Sequence, residues 1–340
     1  MSSRSTLGIL VLAIVEALSM TVSYGLAGAS ALAAVESQGQ LRPATQKLEA
    51  TSTVVDEALK KLGQDARAVR AKWKNKTFEE FEKSVYREPF EGGKYIVSGD
   101  VAIADREQLR SFFNNYIRSE PGRYELIMHT VNGKMAAWSA SAKDKLTYCV
   151  SKSFGSHYGQ VVRDMDAATK AWESAASIRF IHVSAEDASC TAANPRVVFD
   201  VRPVNVGGQY LARAFFPNDS RAQCNVLIDD SSFGLPASEA LQLVGILRHE
   251  LGHAIGARHE HTRPESGKCF EDANWTPITD YDRFSVMHYP QCNGGGDWSL
   301  NLTQKDKDGM ACVYGAAAGF KFDPKVCPTP AVSEAPPGKP

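Results

Sequence analysis

Hydrophobic and polar residues alternate with two different periods along this 340-residue chain. Apolar residues spaced by three and four predict amphipathic helices over 54–73 and 158–176. Runs rich in β-branched and aromatic residues predict strands at 145–151, 178–183, 196–201, 210–216 and 225–228. A strand, a helix and a second strand in this order predict a right-handed crossover and a mostly parallel sheet.

Local signals predict a β-forming run with a turn, and two further helices. The β-forming run 94–104 turns near Gly99, and Asp105 then caps a helix. Ser238 is placed to cap another helix that runs into residues 249–253. Beyond that helix, glycine, proline, asparagine and aspartate become frequent, so irregular structure is expected there.

The first residues have the composition of an export signal. Arg4 precedes an apolar run over 7–15, and Ala-Leu-Ala at 31–33 is a small-residue cleavage site, which predicts a signal peptide over 1–33. A secreted protein, extracellular or periplasmic, is therefore expected. Glu16 interrupts the apolar stretch short of the roughly 20 residues that a spanning helix needs. A membrane anchor is thus the less favoured alternative, and no stable membrane insertion is expected.

Composition divides the remaining chain into three zones. Residues 34–135 contain no cysteine, and residues 136–315 contain the predicted sheet. Residues 316–340 are rich in proline and are expected to form a disordered tail. The formal net charge is −1, which offers no electrostatic reason to expect nucleic acid or an anionic membrane as a partner.

The chain has seven cysteines, and none precedes Cys149. An exported chain meets an oxidising compartment, so most of them should be paired, while the odd number leaves at least one without an intrachain partner. Cys269 with Cys292 is the first choice because both flank the same short region, and Cys149 with Cys190 is the second. The sequence leaves the other pairings open.

The run from His249 to His259 reads His-Glu-Leu-Gly-His-Ala-Ile-Gly-Ala-Arg-His. Histidines four apart lie on one face of a helix, so His249 and His253 can bind the same ion. Gly256 can adopt a left-handed conformation and end the helix, which lets His259 reach that ion. With this composition the pattern arises by chance on the order of 10⁻⁵ times per chain.

This set of ligands predicts a catalytic Zn²⁺, one ion per chain. Three neutral imidazoles leave one position open for water, as in catalytic rather than structural sites. Bound zinc lowers the pKa of that water to roughly 7. Glu250, beside the first ligand, is placed to take the water's proton and pass it to the leaving amine.

The motif is that of the metzincin zinc metallopeptidases, and the chain further resembles the astacin family, as a bacterial-type secreted zymogen. Glu260 directly follows the third histidine, and Ser-Val-Met-His-Tyr over 285–289 is similar to the family's Met-turn. The resemblance implies an apolar floor at Met287 and a swinging zinc ligand at Tyr289 that also stabilises the tetrahedral intermediate. It also implies a contact between Glu260 and the new N-terminal ammonium. The short segment between His259 and Tyr289 departs from the family, so no cleavage preference is transferred.

The resemblance also implies how such an enzyme is kept latent. Val-Ser-Gly-Asp over 97–100 is similar to the astacin propeptide motif, whose aspartate takes the open zinc position, so Asp100 is the predicted zymogen ligand. Valine stands where the family usually has an aromatic residue, and an ordinary turn is the alternative. Basic residues place the processing site within 118–140, by an activating protease or by autoprocessing.

Together these features predict an α+β metzincin-like catalytic domain over 136–315, preceded by a propeptide. It would have a twisted, mostly parallel five-stranded sheet, two long helices and a small irregular C-terminal subdomain. The resemblance to metzincins implies that the run 210–217 is a sheet edge that binds an extended polypeptide substrate, and its final proline fits an edge strand. Core packing by Phe215 and Phe216 is the alternative. The expected reaction is hydrolysis by a zinc endopeptidase. Two alternatives stay open: a zinc-binding but catalytically silent adhesion or binding protein, against which Glu250 argues, and a metzincin of a non-astacin subfamily.

Overall fold

The computed structural model describes residues 72–73, 75–97, 99–114, 127–131, 133–267, 269 and 275–327. The predicted signal peptide, nearly all of the predicted helix 54–73 and the last part of the predicted tail lie outside the described residues.

Five α-helices and eleven β-strands lie within these ranges. The helices are α1 (Phe78–Ser84), α2 (Arg106–Phe112), α3 (Tyr158–Glu173), α4 (Leu243–Ala254) and α5 (Gln304–Tyr314). The strands are β1 (Tyr86–Arg87), β2 (Tyr95–Val97), β3 (Val101–Ile103), β4 (Ile127–Val131), β5 (Lys134–Met135), β6 (Leu146–Val150), β7 (Phe180–His182), β8 (Phe199–Val204), β9 (Ala212–Arg213), β10 (Asn225–Asp229) and β11 (Trp275–Pro277). None of the described helices is long and apolar enough to cross a membrane.

The central sheet has the strand order β7-β6-β8-β10-β9. The first four strands run parallel to their neighbours, whereas β9 pairs antiparallel with β10 at one edge. Every residue of β10 is buried, as expected for a strand inside a covered, largely parallel sheet. The predicted α+β class is confirmed, with a mixed sheet.

Helix α3 buries the face that its apolar spacing predicts. Val161, Met165, Ala168 and Trp172 are all buried in the main core. The Trp172 indole N–H also donates to the main-chain carbonyl of Arg248, 2.9 Å away, and so joins α3 to α4. The helix that carries the motif is therefore held against a rigid neighbour.

Helix α4 begins at Leu243, so the predicted cap at Ser238 is wrong. The preceding residues form a turn instead, in which the N–H of Glu239 donates to the Pro236 carbonyl at 3.0 Å. The side-chain amide of Gln242 donates to the same carbonyl and to that of Glu239, both at 2.9 Å. This closed turn delays the helix, and Gln242 takes the cap position without a side-chain cap bond.

Strand β9 is shorter than the predicted 210–216 but lies at the predicted edge of the sheet. Two aromatic residues explain its early end. Phe215 packs on Phe199 with ring centroids 5.4 Å apart, and Phe216 stacks on His129 at 4.3 Å. Because these rings turn into the molecule, the chain leaves the sheet after Arg213.

The N-terminal segment, defined as the described residues from 72 to 114, contains α1, α2 and the sheet β1-β2-β3. Thr77 forms a capping box with Glu80 at the start of α1. Asp105 accepts from the Gln108 N–H at 2.8 Å, which confirms the predicted cap of α2. The segment has an apolar core of its own, which Phe216 joins from outside the segment.

Strand β4 is the first element of the main domain, defined as the described residues from 127 onward. Ile127 and Met128 are fully buried, and β4 pairs antiparallel with β11. The carbonyl of Ile127 accepts from the Arg258 N–H at 2.9 Å, and the carbonyl of Gly256 accepts from the His129 N–H at 2.8 Å. β4 therefore supports the turn that follows α4.

Three disulfide bonds are formed. Cys149 is joined to Cys190 and Cys269 to Cys292, the two pairs favoured from the sequence. Cys312 is joined to Cys327, and Cys224 is left as a free, buried thiol. The last bond fixes the first part of the predicted tail, where the N–H of Ala317 also donates to the Ala175 carbonyl at 2.9 Å. Residues 316–327 are thus tied to earlier parts of the chain.

Candidate active site

The three motif histidines converge on one point. Helix α4 carries His249 and His253 one turn apart, and the chain then turns so that His259 faces both. Its Nε2 lies 3.1 Å from Nε2 of His249 and 3.2 Å from Nε2 of His253. All three side chains are buried, so their ring nitrogens surround a small space that can hold one metal ion.

The outer ring nitrogens orient these imidazoles. Nδ1 of His249 lies 2.8 Å from the Val286 carbonyl, and Nδ1 of His253 lies 2.8 Å from the Ala257 carbonyl. A carbonyl can only accept, so Nδ1 carries the proton and the Nε2 lone pair points inward. Burial lowers the pKa of His249 to about 4 and that of His253 well below its usual value. Neutral imidazoles with this orientation fit zinc.

Gly256 makes the turn that brings His259 to the other two ligands. Its φ is +99°, in the left-handed region. A Cβ added there would lie 2.3 Å from the Ala136 carbonyl oxygen and 2.5 Å from Cε of Met128. Both the backbone conformation and the space therefore require glycine.

The variant Gly256→Ala is expected to lose about 2–5 kcal/mol of unfolding free energy, from left-handed strain plus overpacking. Zinc affinity should fall with it, since His259 follows the turn. Urea unfolding and zinc titration measure both. Gly159→Ala is the matched control, because its Cβ would meet only the end of Arg163 at 3.6 Å. Equal stability of the two variants would contradict the role of this turn.

Asp100 reaches this centre from the N-terminal segment. Its Oδ1 lies 3.1 Å from Nε2 of His259 and its Oδ2 lies 3.6 Å from Nε2 of His249. One carboxylate oxygen and the three imidazoles form a group in which every ligand atom is within 4.8 Å of the others. Burial alone would raise the pKa of Asp100, but the neighbouring histidines, His259 foremost, hold it below its usual range. Ser98, in the same turn, lies outside the described residues.

Glu250 is buried at the same centre, beside the first ligand. Its Oε2 has no hydrogen-bond partner among the described residues. Burial, and then the negative charge of Asp100, raise the pKa of Glu250 well above its usual value. Its position beside the first metal ligand places this carboxyl group where a general base could exchange a proton with a water molecule at the metal centre.

Met287 and Tyr289 close the site from below. Met287 is fully buried under α4, where a Cβ on Gly252 would lie 2.4 Å from its sulfur. The Tyr289 ring stacks on His249 with centroids 5.3 Å apart, and its hydroxyl donates to Asp100. The predicted floor and the predicted tyrosine are therefore both beside the three histidines.

Glu260 is buried just beyond the third ligand. Its Oε1 accepts from Arg263 at 2.7 Å and from the Asp282 N–H at 2.9 Å, while Oε2 has no partner among the described residues. Burial raises the pKa of Glu260 to about 8, against the opposing charge of Arg263. Arg263 is thus the described ion-pair partner of a carboxylate that retains one open oxygen.

Two buried ion pairs between the N-terminal segment and the main domain were not predicted. Glu88 pairs with Arg213, and Lys94 pairs with Asp219, each with a closest distance of 2.8 Å. The side chains in these pairs are at most 4% exposed. Each pair joins residues 125 positions apart, and no local spacing reveals such a contact.

An apolar pocket opens beside Glu250. Its walls are mainly apolar side chains, which come from three parts of the chain. They are Leu211, Ala212, Leu241, Ile246, Trp298 and Leu300. His249, Tyr289 and Asp100 line the end that faces the metal centre. Concave, mostly apolar spaces with a few polar groups are typical ligand pockets, and sequence patterns alone gave no sign of this one.

Comparisons with known proteins agree with this geometry. The family model for matrixin, a peptidase family, matches residues 137–266. Human matrix metalloproteinase-25 is 28% identical over 127 residues, which are 36% of this chain and 19% of that protein. The chain therefore spans about a fifth of the length of that relative.

A solved structure of high choriolytic enzyme 1, a hatching-enzyme zinc protease from the medaka fish Oryzias latipes, is also similar. It shares 20% identity, and the match covers 53% of this chain and 98% of that one. The TM-score is 0.33, so nothing further is drawn from this likeness.

The stretch that matches the matrixin model contains the three convergent histidines and the glutamate between them, and both observations support a metzincin-type zinc site. Its cofactor is a catalytic zinc ion. Enzymes of this class act on polypeptides.

Proposed function

We propose that this protein is a secreted zinc endopeptidase of the astacin type, made as a latent zymogen. The observation that carries the proposal is that a carboxylate from the N-terminal segment reaches the three-histidine centre. That segment lies outside the residues that match the matrixin family. Three disulfides, which form in oxidising compartments, support export.

The proposed chemistry divides among a few side chains. His249, His253 and His259 would hold the zinc ion, which when bound would supply Lewis acidity and make a water molecule more acidic. Glu250 accepts the proton of that water and returns it to the leaving amine. Tyr289 donates a hydrogen bond to the carbonyl oxygen as negative charge develops there. The apolar pocket beside Glu250 holds a substrate side chain.

Metal removal tests the proposed function. The processed protein should hydrolyse casein, a chelator should abolish this hydrolysis, and one equivalent of Zn²⁺ should restore it. Restoration by zinc separates metal loss from unfolding. A catalytically silent binding protein would bind the metal but leave casein intact, so absence of hydrolysis by the zinc-loaded, processed protein would sink the proposal.

Tyr289 distinguishes the astacin type from other metzincins. Its ring lies against two of the zinc ligands and its hydroxyl bonds to Asp100, which fits a side chain that can both approach and leave the metal. Glu260, with one open carboxylate oxygen, also fits the family's contact with the new N-terminus. The fit of these two residues favours the astacin type.

The processing site is proposed to lie within 115–126, which contains Arg118 and Arg123. Cleavage at Lys134 would separate β4 from the domain, although Ile127 and Met128 are fully buried in it. Cleavage ahead of β4 leaves that strand in place. It also creates a new N-terminus close in sequence to Ile127. The Ile127 carbonyl accepts from the N–H of Arg258, and Arg258 lies two residues before Glu260.

N-terminal sequencing of the active protein recovered from outside the producing cells is expected to find a first residue within 116–127. Metal analysis of the same sample should find one zinc per chain. Glu260→Gln should then lower the stability of the processed form more than that of the zymogen, because only the processed form has the ammonium partner. A first residue after 131, or retention of residues 1–33, would contradict this account of processing or of export.

A further inference from the structure

The ion pair between Glu88 and Arg213 has the geometry of a carboxylate site. Nε and Nη2 of Arg213 each donate to the Glu88 carboxylate at 2.8 Å. The Tyr210 hydroxyl donates to the same group at 2.5 Å. Arg213 and Tyr210 lie inside the residues that match the peptidase family, whereas Glu88 belongs to the N-terminal segment. Three donors of the peptidase domain therefore converge on one acceptor from the segment that processing releases.

The arginine has a second support besides that acceptor. Nη1 of Arg213 donates to Asn225, to both its side-chain and its main-chain oxygen, so Asn225 also orients the guanidinium. The Arg213 side chain is only 1% exposed in the unprocessed chain. The planar fork of a guanidinium matches a carboxylate, and such charge-assisted, two-point contacts are among the stronger hydrogen bonds. Release of Glu88 thus leaves a set of donors that matches an acidic ligand.

The position of the site indicates which acidic ligand it takes. Arg213 directly follows Ala212 on β9, the edge strand, and Ala212 lines the pocket that contains Glu250. An extended peptide that adds to β9 places its side chains alternately on the two faces of the sheet. The side chain opposite Arg213 then lies on the same face as the guanidinium.

We infer that Arg213 and Tyr210 form a subsite for an acidic side chain of the substrate in the processed enzyme. Glu88 fills this subsite until processing removes it. The N-terminal segment thus occupies two places that belong to the substrate, the metal centre through Asp100 and the acidic subsite through Glu88. This inference rests on the proposed peptidase function and adds a specificity to it.

Paired peptides test the subsite. Each pair carries glutamate or glutamine at one position, scanned along an otherwise constant sequence, and kcat/KM of the processed enzyme is measured for both. At one position the glutamate peptide should be preferred by about tenfold to a hundredfold, as for hydrogen bonds to a charged group. Arg213→Gln should bring this ratio close to one, and Arg213→Lys should give an intermediate ratio because only the charge remains.

The ratio compares two substrates of one enzyme preparation, so a partial loss of folded protein does not affect it. Arg202→Gln is the matched control and should keep the wild-type ratio, because Arg202 pairs with Asp200 on β8. A ratio near one at every position in the wild type, or an unchanged ratio in Arg213→Gln, overturns the inference. Co-purification of the released N-terminal fragment with the active enzyme also overturns it, since Glu88 would still fill the site. If the wild type cleaves neither peptides nor casein, the proposed function itself fails.

Discussion

Glu250→Gln is expected to lower kcat/KM for a peptide substrate by about 10²–10⁴-fold, the usual contribution of a general base. Glutamine has nearly the same shape as glutamate but cannot accept the proton of the attacking water. The change leaves the three histidines untouched, and the hydrogen bonds from Nδ1 of His249 to Val286 and from Nδ1 of His253 to Ala257 are preserved. Initial rates for the processed enzyme, measured with zinc in slight excess, give the effect directly.

Two controls isolate the chemical role of Glu250. The zinc content of the variant should stay at one ion per chain, and its unfolding transition should not move to lower temperature, since a buried carboxyl of raised pKa is replaced by a neutral group. Glu239→Gln, at an exposed position just before α4, should keep full activity. If Glu250→Gln retained more than a tenth of the wild-type rate with full zinc, another group would have to act as the base.

Asp100→Ala in the unprocessed chain is expected to raise peptidase activity by about tenfold to a hundredfold. The carboxylate lies 3.1 Å from Nε2 of His259 and accepts the Tyr289 hydroxyl, so its removal opens the metal centre and frees the tyrosine. The expected range follows from the strength of a hydrogen bond to a charged group. The pairs Glu88–Arg213 and Lys94–Asp219 still hold the segment, so the gain should stay below full activation.

The measurement compares the unprocessed variant with the unprocessed wild type, on a peptide small enough to enter a partly covered cleft. Processing must be blocked or followed by mass spectrometry, so that cleaved enzyme does not account for the activity. Glu91→Gln, an exposed change on the same segment, should leave latency intact. Unchanged latency in Asp100→Ala would show that the segment inhibits by covering the cleft and not through this carboxylate.

Most of the metal centre could be predicted because its geometry is local. His249 and His253 share a helix face through their spacing alone. The left-handed φ of Gly256 could be predicted because glycine adopts this conformation more readily than any other residue. The core face of α3 and the cap at Asp105 depend on neighbours within a few positions, and both predictions were confirmed. Ser238 shows the limit of this reasoning, because a competing turn closed by Gln242 displaced the start of α4.

Contacts between distant segments needed the tertiary structure. The motif resemblance suggested that Asp100 reaches the zinc ligands, but only the packing of the N-terminal segment against the main domain places it there. The pair Glu88–Arg213 had no signal in the sequence, because either residue alone reads as an ordinary surface charge. The pairing of β4 with β11 also had no signal in the sequence, because the metal motif separates the two strands along the chain. This pairing is the reason why the processing site is proposed ahead of Ile127. Spacing along the chain thus determined the zinc ligands and the base. Burial of charges and pairing of remote strands, which depend on the whole fold, decided what covers the site and where a substrate binds.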